Sequence, residues 1–341
     1  MKICFLSGPK KPSKCGISDY IKLISLKLKK LGNDCDHVCL DEKCTLSNIA
    51  QNLPDADLYS IQFAPYAFST TGFSVRGLSD LAKSLRDKNT LLNFHEFWIG
   101  AYPNATLKEK TIGWLQKREI TNFINICMPS AITCSNSAAL DRMRQAGVDA
   151  QYLYLCGNIP YSLSKKHEQL NHVTVVFFGT LYGKFPYEHL SKTLFLISQS
   201  LKKQIHIKIL GRQRESEGLE YLKKVTQKHE FPISLSGEIS ISKISEELQK
   251  SDLGISTTPY DIIGKSGATA TILEHRLPIL AYDDGDTPKG KLFVMNEFID
   301  QVFLLNEDSS VARLISFLQK PRQEFFDGVA YTAKKMLEIV H

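Results

Sequence analysis

Short apolar runs alternate along this chain with longer segments in which apolar residues recur every three or four positions. The short runs predict buried strands, and the longer spacing predicts amphipathic helices. Residues 17–31 show the helical pattern, because Ile17, Ile21, Ile24 and Leu28 fall on one face. In the first half, strands are predicted at residues 2–7, 37–40, 58–62, 89–94, 131–134 and 152–155, and helices at 17–31, 46–52, 77–86, 107–123 and 138–146.

The second half repeats this alternation after a polar and charged segment at residues 161–171, which is typical of a linker between domains. Strands are predicted at residues 173–178, 205–210, 233–236, 253–256, 277–281 and 302–304, and helices at 188–202, 217–229, 241–250, 266–275, 310–318 and 322–340. We predict one domain at residues 1–160, a second at 172–320, and a C-terminal helix within 321–341 that packs back on the first domain.

Strands that alternate with helices predict an α/β fold with parallel sheets, so each domain is expected to be a doubly wound, Rossmann-like sheet. In such sheets, ligands bind beyond the carboxyl ends of the strands. The expected site is therefore a central cleft that the two domains face.

Composition indicates a soluble protein, because 43% of the 341 residues are hydrophobic and 23% are charged. Residues 1–6 form a short strand pattern rather than a secretory leader, and no apolar run approaches the ~18–20 residues of a membrane span. The eight cysteines are scattered without a CxxC pair, which favours free thiols in the cytoplasm. A structural zinc site at Cys35, Cys39 and Cys44 is the alternative.

The charge of the chain is mildly basic, with a net charge of +6, which is less than a dedicated nucleic-acid-binding protein carries. We therefore expect no nucleic-acid partner. Many lysines crowd the first thirty residues, namely Lys10, Lys11, Lys14, Lys22, Lys27, Lys29 and Lys30. They form either a solvated helix face or a surface attracted to an anionic membrane or an acidic acceptor.

Residues 251–282 contain the strongest candidate for binding chemistry, because a strand and a loop are followed there by a helix that opens at Ser266-Gly267. A helix start exposes backbone N–H groups and the positive end of the helix dipole, which suits a phosphate. Lys265 adds a positive charge directly before this helix. The alternative is an ordinary strand-to-helix turn beside an exposed lysine.

Loops after other predicted strands also carry glycines, a histidine or cations that could contact a ligand. A loop from Gly8 to Gly16 precedes the first helix, but it matches neither GxGxxG nor the Walker lysine pattern. His95 follows a strand, where it could position or protonate a substrate hydroxyl or only cap a loop. Lys184 and Arg212 each follow a glycine turn in the second half. With Lys265, these cations suit a diphosphate leaving group, and surface cations are the alternative.

Five segments resemble, in order and spacing, the retaining nucleotide-sugar enzymes of glycosyltransferase family 4 (glycosyl transferases group 1). They are CGISDYIKLISLKLKKLG, LLNFHEFWIG, AITCSNSAALDRMRQAGVDAQYLYLCGNIP, VVFFGTLYGK and SLSGEISISKISEELQKSDLGIS. The resemblance covers nearly the whole chain. It implies a GT-B fold, in which the first domain binds the acceptor and the second binds the nucleotide sugar.

The resemblance also implies roles for individual residues. Gly16 would lie against the donor diphosphate, and His95 near the C6 hydroxyl of the donor sugar or the reacting centre. Lys184 would bind phosphate. The backbone around Glu238 and Ile239 would receive the nucleotide base. The residues that would present backbone donors to the sugar and the phosphates are Lys265, Ser266 and Gly267.

This chain departs from the family at its usual pair of glutamates, eight positions apart, which would fall on Ile263 and Thr271. The loss of the first leaves the identity of the donor sugar open. Glu274 lies one helical turn after Thr271 and would reach the ribose instead.

A second departure concerns the arginine that the family carries directly after the first glycine of the second domain, because this chain has Thr180 there. Diphosphate binding would weaken unless Arg212 or Lys265 substitutes. We interpret both departures as divergence rather than as loss of activity.

The sequence therefore predicts a retaining glycosyltransferase that moves a hexosyl group from a nucleoside diphosphate sugar to a hydroxyl of a carbohydrate or lipid-linked acceptor, in bacterial polysaccharide or glycoconjugate synthesis. His95 and Lys184 are the predicted catalytic residues. No DxD motif stands at a strand end and the cations supply the charge, so we expect no essential metal, and no cofactor; residues 283–286 are interpreted as a loop. The alternatives are a hydrolase or phosphorylase that acts on an activated sugar, and a catalytically silent subunit that binds a nucleotide sugar.

Overall fold

The structure is a computed structural model of the chain. It describes residues 1–9, 16–40, 45–69, 72, 75–102, 104–162, 171–212, 216–285, 296–305 and 310–340. The chain divides into two compact units. The first comprises Met1–Cys156 and Val329–His341, and the second comprises Gly157–Thr287 and Phe293–Gly328.

The first unit is built on a parallel six-stranded sheet with the order β2-β1-β3-β4-β5-β6. Its strands are β1 (Lys2–Ser7), β2 (Asp34–Cys39), β3 (Leu58–Phe63), β4 (Thr90–Phe94), β5 (Ala131–Cys134) and β6 (Gln151–Tyr152). Its helices are α1 (Gly16–Lys30), α2 (Leu46–Gln51), α3 (Pro65–Phe68), α4 (Val75–Leu85), α5 (Leu107–Cys127), α6 (Ser137–Gln145) and nearly all of the terminal helix α12 (Gly328–Val340).

The second unit is built on another parallel six-stranded sheet with the order β12-β11-β10-β7-β8-β9. Its strands are β7 (His172–Phe178), β8 (Gln204–Leu210), β9 (Ile233–Leu235), β10 (Leu253–Ile255), β11 (Ile279–Tyr282) and β12 (Val302–Leu305). Its helices are α7 (Tyr187–Leu201), α8 (Glu217–Gln227), α9 (Ile241–Lys250), α10 (Gly267–Glu274) and α11 (Val311–Leu318), with 3-10 helices at Tyr260–Lys265 and Asn296–Gln301.

The central strands of both sheets are buried on both faces, which explains their continuous apolar runs. In the first sheet, Phe63 of β3 pairs with Phe94 of β4, and Phe94 pairs with Cys134 of β5. Because all strands of each sheet are parallel, their carboxyl ends meet at one edge. The predicted parallel α/β architecture is confirmed.

The predicted terminal helix at residues 322–340 is wrong at its start, because α12 (Gly328–Val340) begins six residues later. Arg322 donates to the carbonyl of Gln249 at 3.3 Å and also contacts the carbonyl of Ser251. Arg276 donates to the carbonyl of Glu324 at 2.7 Å. These long-range bonds hold residues 321–327 in a non-helical conformation that local periodicity does not reveal.

Several sequence-based alternatives concern residues outside the described ranges. Of the lysines within the first thirty residues, Lys10, Lys11 and Lys14 lie outside the described ranges, as does most of the predicted linker. So does Cys44, while Cys35 and Cys39 are free thiols. Within the described ranges, no group of three or more His, Cys, Asp or Glu residues could hold a metal ion. No helix in these ranges is long and apolar enough to cross a membrane.

Candidate functional site

The start of α10 leaves backbone donors without an acceptor at the carboxyl edge of the second sheet. Ser266 caps the helix, because its hydroxyl accepts from the N–H of Thr269 at 3.2 Å. No described residue accepts a hydrogen bond from the N–H groups of Gly267 and Ala268. Two adjacent free N–H groups at the positive end of a helix can bind an anion.

The loop after β7 packs directly on this helix start. Gly179 has a φ of +94°, and a Cβ added to it would lie 2.8 Å from the Cβ of Ala268. Thr257, which follows β10, donates from its hydroxyl to the carbonyl of Thr180 at 2.5 Å. A glycine is required here both by the left-handed backbone and by the close approach. The arrangement brings the β7 loop and the first turn of α10 together.

The predicted cations are all exposed and follow neighbouring strands. Lys184 follows β7, Arg212 follows β8, and Lys265 ends the 3-10 helix after β10. The strand order β10-β7-β8 places the three connections at one edge of the sheet. This edge therefore combines positive charge with the free N–H groups of α10, while the contacts of each cation with a diphosphate stay predictions.

The predicted base-binding segment lies at the same edge, after β9. Gly211 and Gly237 form an isolated antiparallel bridge, and the N–H of Gly211 donates to the hydroxyl of Ser236 at 3.0 Å. Glu238 is exposed and Ile239 is partly buried. These bonds fix the backbone that leads into residues 238–239, and its contact with a base stays a prediction.

The C-terminal half of α10 accepts hydrogen bonds from the backbone of residues 157–158, which belong to the same unit. Glu274 is 2% exposed, and its carboxylate accepts from the N–H of Gly157 at 2.7 Å. The hydroxyl of Thr271, which is fully buried, accepts from the N–H of Asn158 at 3.1 Å. Ile263 is also buried. A ribose contact of Glu274 would have to share a carboxylate that already binds the backbone, so this contact stays a prediction.

The first glycine loop is described only at its two ends. α1 begins at Gly16, and residues 10–15 lie outside the described ranges. A Cβ on Gly16 would meet no described atom within 4 Å. At the other end, a Cβ on Gly8 would lie 2.5 Å from both the Cβ and the carbonyl oxygen of Ala67. Close packing therefore requires glycine at position 8, and the diphosphate contact predicted for Gly16 stays a prediction.

His95 lies just beyond the carboxyl end of β4, where its backbone N–H donates to the carbonyl of Phe63 at 2.9 Å. The Nε2 atom of its ring lies 2.8 Å from Oε1 of Gln62. The ring of Tyr20 from α1 meets the imidazole edge to face, with centroids 5.3 Å apart. Burial lowers the pKa of His95 to about 4, so the imidazole is neutral at pH 7.

Sequence reasoning missed buried polar side chains in and after the central strands of the first sheet. Gln62 of β3 and Asn93 of β4 are buried at 1% and 4% exposure, and they hydrogen-bond to each other at 3.0 Å. Ser135 directly follows β5 and Ser137 begins α6, and both hydroxyls are buried without a hydrogen-bond partner among the described residues. The available signal was a polar residue inside an otherwise apolar strand, since buried polar groups need partners.

Comparison by sequence gives no significant match to any protein-family model or curated protein. Comparison by structure gives full-length likeness. Sucrose-phosphate synthase from Thermosynechococcus elongatus has a TM-score of 0.61 at 10% identity, covering 100% of this chain and 94% of that one. HepE from Anabaena, solved in complex with UDP, has a TM-score of 0.56 at 14% identity, with the same coverage.

A glycosyltransferase from Rickettsia africae has a TM-score of 0.56 at 13% identity, covering 99% of this chain and 93% of that one. Likeness at this level of identity concerns the fold and leaves the reaction open. It agrees with the two parallel six-stranded sheets. This chain has the GT-B fold, built from two Rossmann-like units.

Proposed function

We propose that this protein is a retaining glycosyltransferase that transfers a hexosyl group from a nucleoside diphosphate sugar to a hydroxyl. The observation that carries the proposal is the start of α10. There the N–H groups of Gly267 and Ala268 have no acceptor among the described residues, and the side chain of Ala268 packs on Gly179. Lys184 and Arg212 follow the neighbouring strands at the same edge. Donors and cations at one edge suit a diphosphate, whose charge grows as it leaves.

In the proposed reaction, the bond between the anomeric carbon of the sugar and the diphosphate oxygen breaks. The acceptor oxygen forms its new bond on the same face, and its proton passes to the leaving diphosphate. Stabilising the departing charge is the main task of the protein, so no side-chain nucleophile is required. We assign the donor to the second unit, and the acceptor and His95 to the first.

The comparisons support a nucleotide sugar as the donor. HepE has been solved both with UDP and with UDP and glucose, and it shares the fold over the full length of this chain. UDP is therefore the first nucleotide to test, and UDP-glucose is the first donor. We expect a carbohydrate or lipid-linked acceptor in polysaccharide or glycoconjugate synthesis, and no metal or further cofactor.

A catalytically silent subunit is the second candidate, and one observation favours it. The two positions at which the family has acidic residues are Ile263 and Thr271, and both are buried without a carboxylate. A thermal-shift screen with nucleotides, followed by an assay of UDP release from UDP-glucose with and without acceptors, separates the candidates. Binding without turnover over many donors and acceptors would favour the silent subunit, while turnover would exclude it.

The cation assignment predicts that Lys184→Ala and Arg212→Ala each weaken UDP binding. Loss of a charge-assisted hydrogen bond costs about 1.5–3 kcal/mol, or roughly a 10- to 100-fold increase in Kd. Isothermal titration of UDP measures this change. Lys224→Ala is the matched control, because Lys224 is an exposed lysine near the C-terminal end of α8. Unchanged affinity in both Lys184→Ala and Arg212→Ala would refute the assignment.

We further propose that α1 contacts an anionic membrane surface. Lys22, Lys29 and Lys30 are exposed on this helix, and Leu26 between them is 51% exposed. Each lysine near an anionic leaflet adds about 1 kcal/mol of attraction, so replacing all three with glutamate should weaken vesicle binding by at least ~100-fold. Sedimentation with anionic and neutral vesicles at two salt concentrations measures this. Equal binding to both vesicle types, or binding to neither, would refute the contact.

A further inference from the structure

Polar side chains form a continuous chain of hydrogen bonds across three neighbouring strands of the first sheet. Nε2 of Gln62 donates to the hydroxyl of Ser60 at 2.8 Å, and Nδ2 of Asn93 donates to Oε1 of Gln62 at 3.0 Å. The hydroxyl of Thr133 donates to Oδ1 of Asn93 at 3.0 Å. All four side chains are less than 5% exposed. In this structure Oε1 of Gln62 faces His95 and accepts from Nδ2 of Asn93.

The contact between Gln62 and His95 decides where the imidazole carries its proton. Oε1 of Gln62 lies 2.8 Å from Nε2 of His95, and an amide oxygen can only accept. With this orientation of the Gln62 amide, Nε2 carries the hydrogen. Nδ2 of Asn93 lies 3.4 Å from the same nitrogen, but donation over this longer contact needs an unprotonated Nε2, which would leave two acceptors 2.8 Å apart. The neutral ring then keeps a lone pair on Nδ1.

We propose that Gln62 is a positioning residue, which fixes His95 as the Nε2–H tautomer and so leaves Nδ1 to accept a hydrogen bond from a sugar hydroxyl. The proposal deepens the proposed function, on which the identity of the ligand as a sugar rests. No described residue donates to Nδ1, and the side chain of His95 is partly exposed.

The surroundings of His95 keep the ring neutral, which the proposal requires because an imidazolium has no acceptor nitrogen. Tyr20 packs on the ring from α1, and burial raises the pKa of its hydroxyl. Glu96 follows His95 in the chain and is exposed. Burial is the cause of the lowered pKa of His95, rather than a charge on a neighbouring element.

The tautomer can be measured without any substrate. In protein labelled with ¹⁵N-histidine, long-range ¹H–¹⁵N correlation spectra distinguish a protonated from an unprotonated ring nitrogen, and a His95→Gln variant assigns the signal. We expect a protonated Nε2 and an unprotonated Nδ1 at pH 7. In Gln62→Met, which removes the acceptor, the two tautomers should interconvert. In Gln62→Glu, the added carboxylate should raise the pKa of His95 by about 1–3 units.

The controls are Ser60→Ala and Thr133→Val, which remove bonds of the same buried chain without touching His95. Because Nδ2 of Asn93 still donates to Oε1 of Gln62 in both variants, they should lower the melting temperature and leave the His95 spectrum unchanged. A protonated Nδ1 in the wild type would overturn the proposal. So would a Gln62→Met spectrum identical to the wild type, and, should that variant fail to fold, an unshifted pKa in Gln62→Glu.

Activity assays separate this inference from the proposed function. If the protein transfers sugar, Gln62→Met should lower kcat by at least about tenfold and change KM little. If no donor is turned over but the Nε2–H tautomer is observed, the proposed function fails and the assignment of Gln62 as the residue that sets the tautomer stands.

Discussion

His95→Ala is expected to lower the turnover of hexosyl transfer by about 10²- to 10⁴-fold, the usual contribution of a group that exchanges or orders a proton in the transition state. Affinity for UDP should change by less than about twofold, because we assign the nucleotide to the second unit. The expected split between turnover and binding follows from the position of His95 in the first unit, at the end of β4.

Steady-state release of UDP from UDP-glucose measures the turnover, and isothermal titration measures the affinity. His229→Ala is the matched control, since this histidine lies in the second unit and packs on Phe195 and Phe231. Full activity in His95→Ala would refute the role, and an equal loss in both variants would indicate damage to the fold.

The pattern of apolar residues was sufficient to predict the architecture, because strands buried on both faces leave a continuous local signal. β1 at Lys2–Ser7 and α9 at Ile241–Lys250 have the predicted bounds. The errors concern a short 3-10 segment and a segment whose hydrogen-bond partners are distant in sequence. The 3-10 helix at Tyr260–Lys265 was predicted as a loop, and α12 begins at Gly328 because residues 321–327 bind elsewhere in the second unit.

The candidate site was predictable only in part, because some of its contacts join residues that are distant in sequence. Residues that follow strands could be placed at a sheet edge from topology, as with Lys184, Arg212 and His95. The partners of buried groups could not be placed in this way. Glu274 binds the backbone of Gly157, 117 positions away, and Gln62 binds the ring of His95, 33 positions away. Neither contact leaves a periodic signal in the sequence.

Gly179 is the residue at which a single methyl group should have the largest effect on nucleotide binding. Its φ of +94° is unfavourable for any other residue, and strain of this kind costs about 1–3 kcal/mol. In Gly179→Ala the new Cβ would lie 2.8 Å from the Cβ of Ala268, where carbon atoms normally keep ~3.5–4.0 Å apart. The β7 loop and the first turn of α10 must then separate, so UDP affinity should fall by more than about tenfold.

A second substitution separates the effect of the backbone strain at position 179 from the effect of the contact with Ala268. Ala268→Gly removes the methyl group that the new Cβ at position 179 would meet, and it leaves the backbone strain in place. The double variant Gly179→Ala, Ala268→Gly should therefore recover most of the UDP affinity but little of the lost thermal stability. Gly147→Ala is the control for strain alone, because Gly147 has a φ of +75° and no described atom within 4 Å of an added Cβ. If Gly179→Ala binds UDP as the wild type does, the start of α10 is not the nucleotide site.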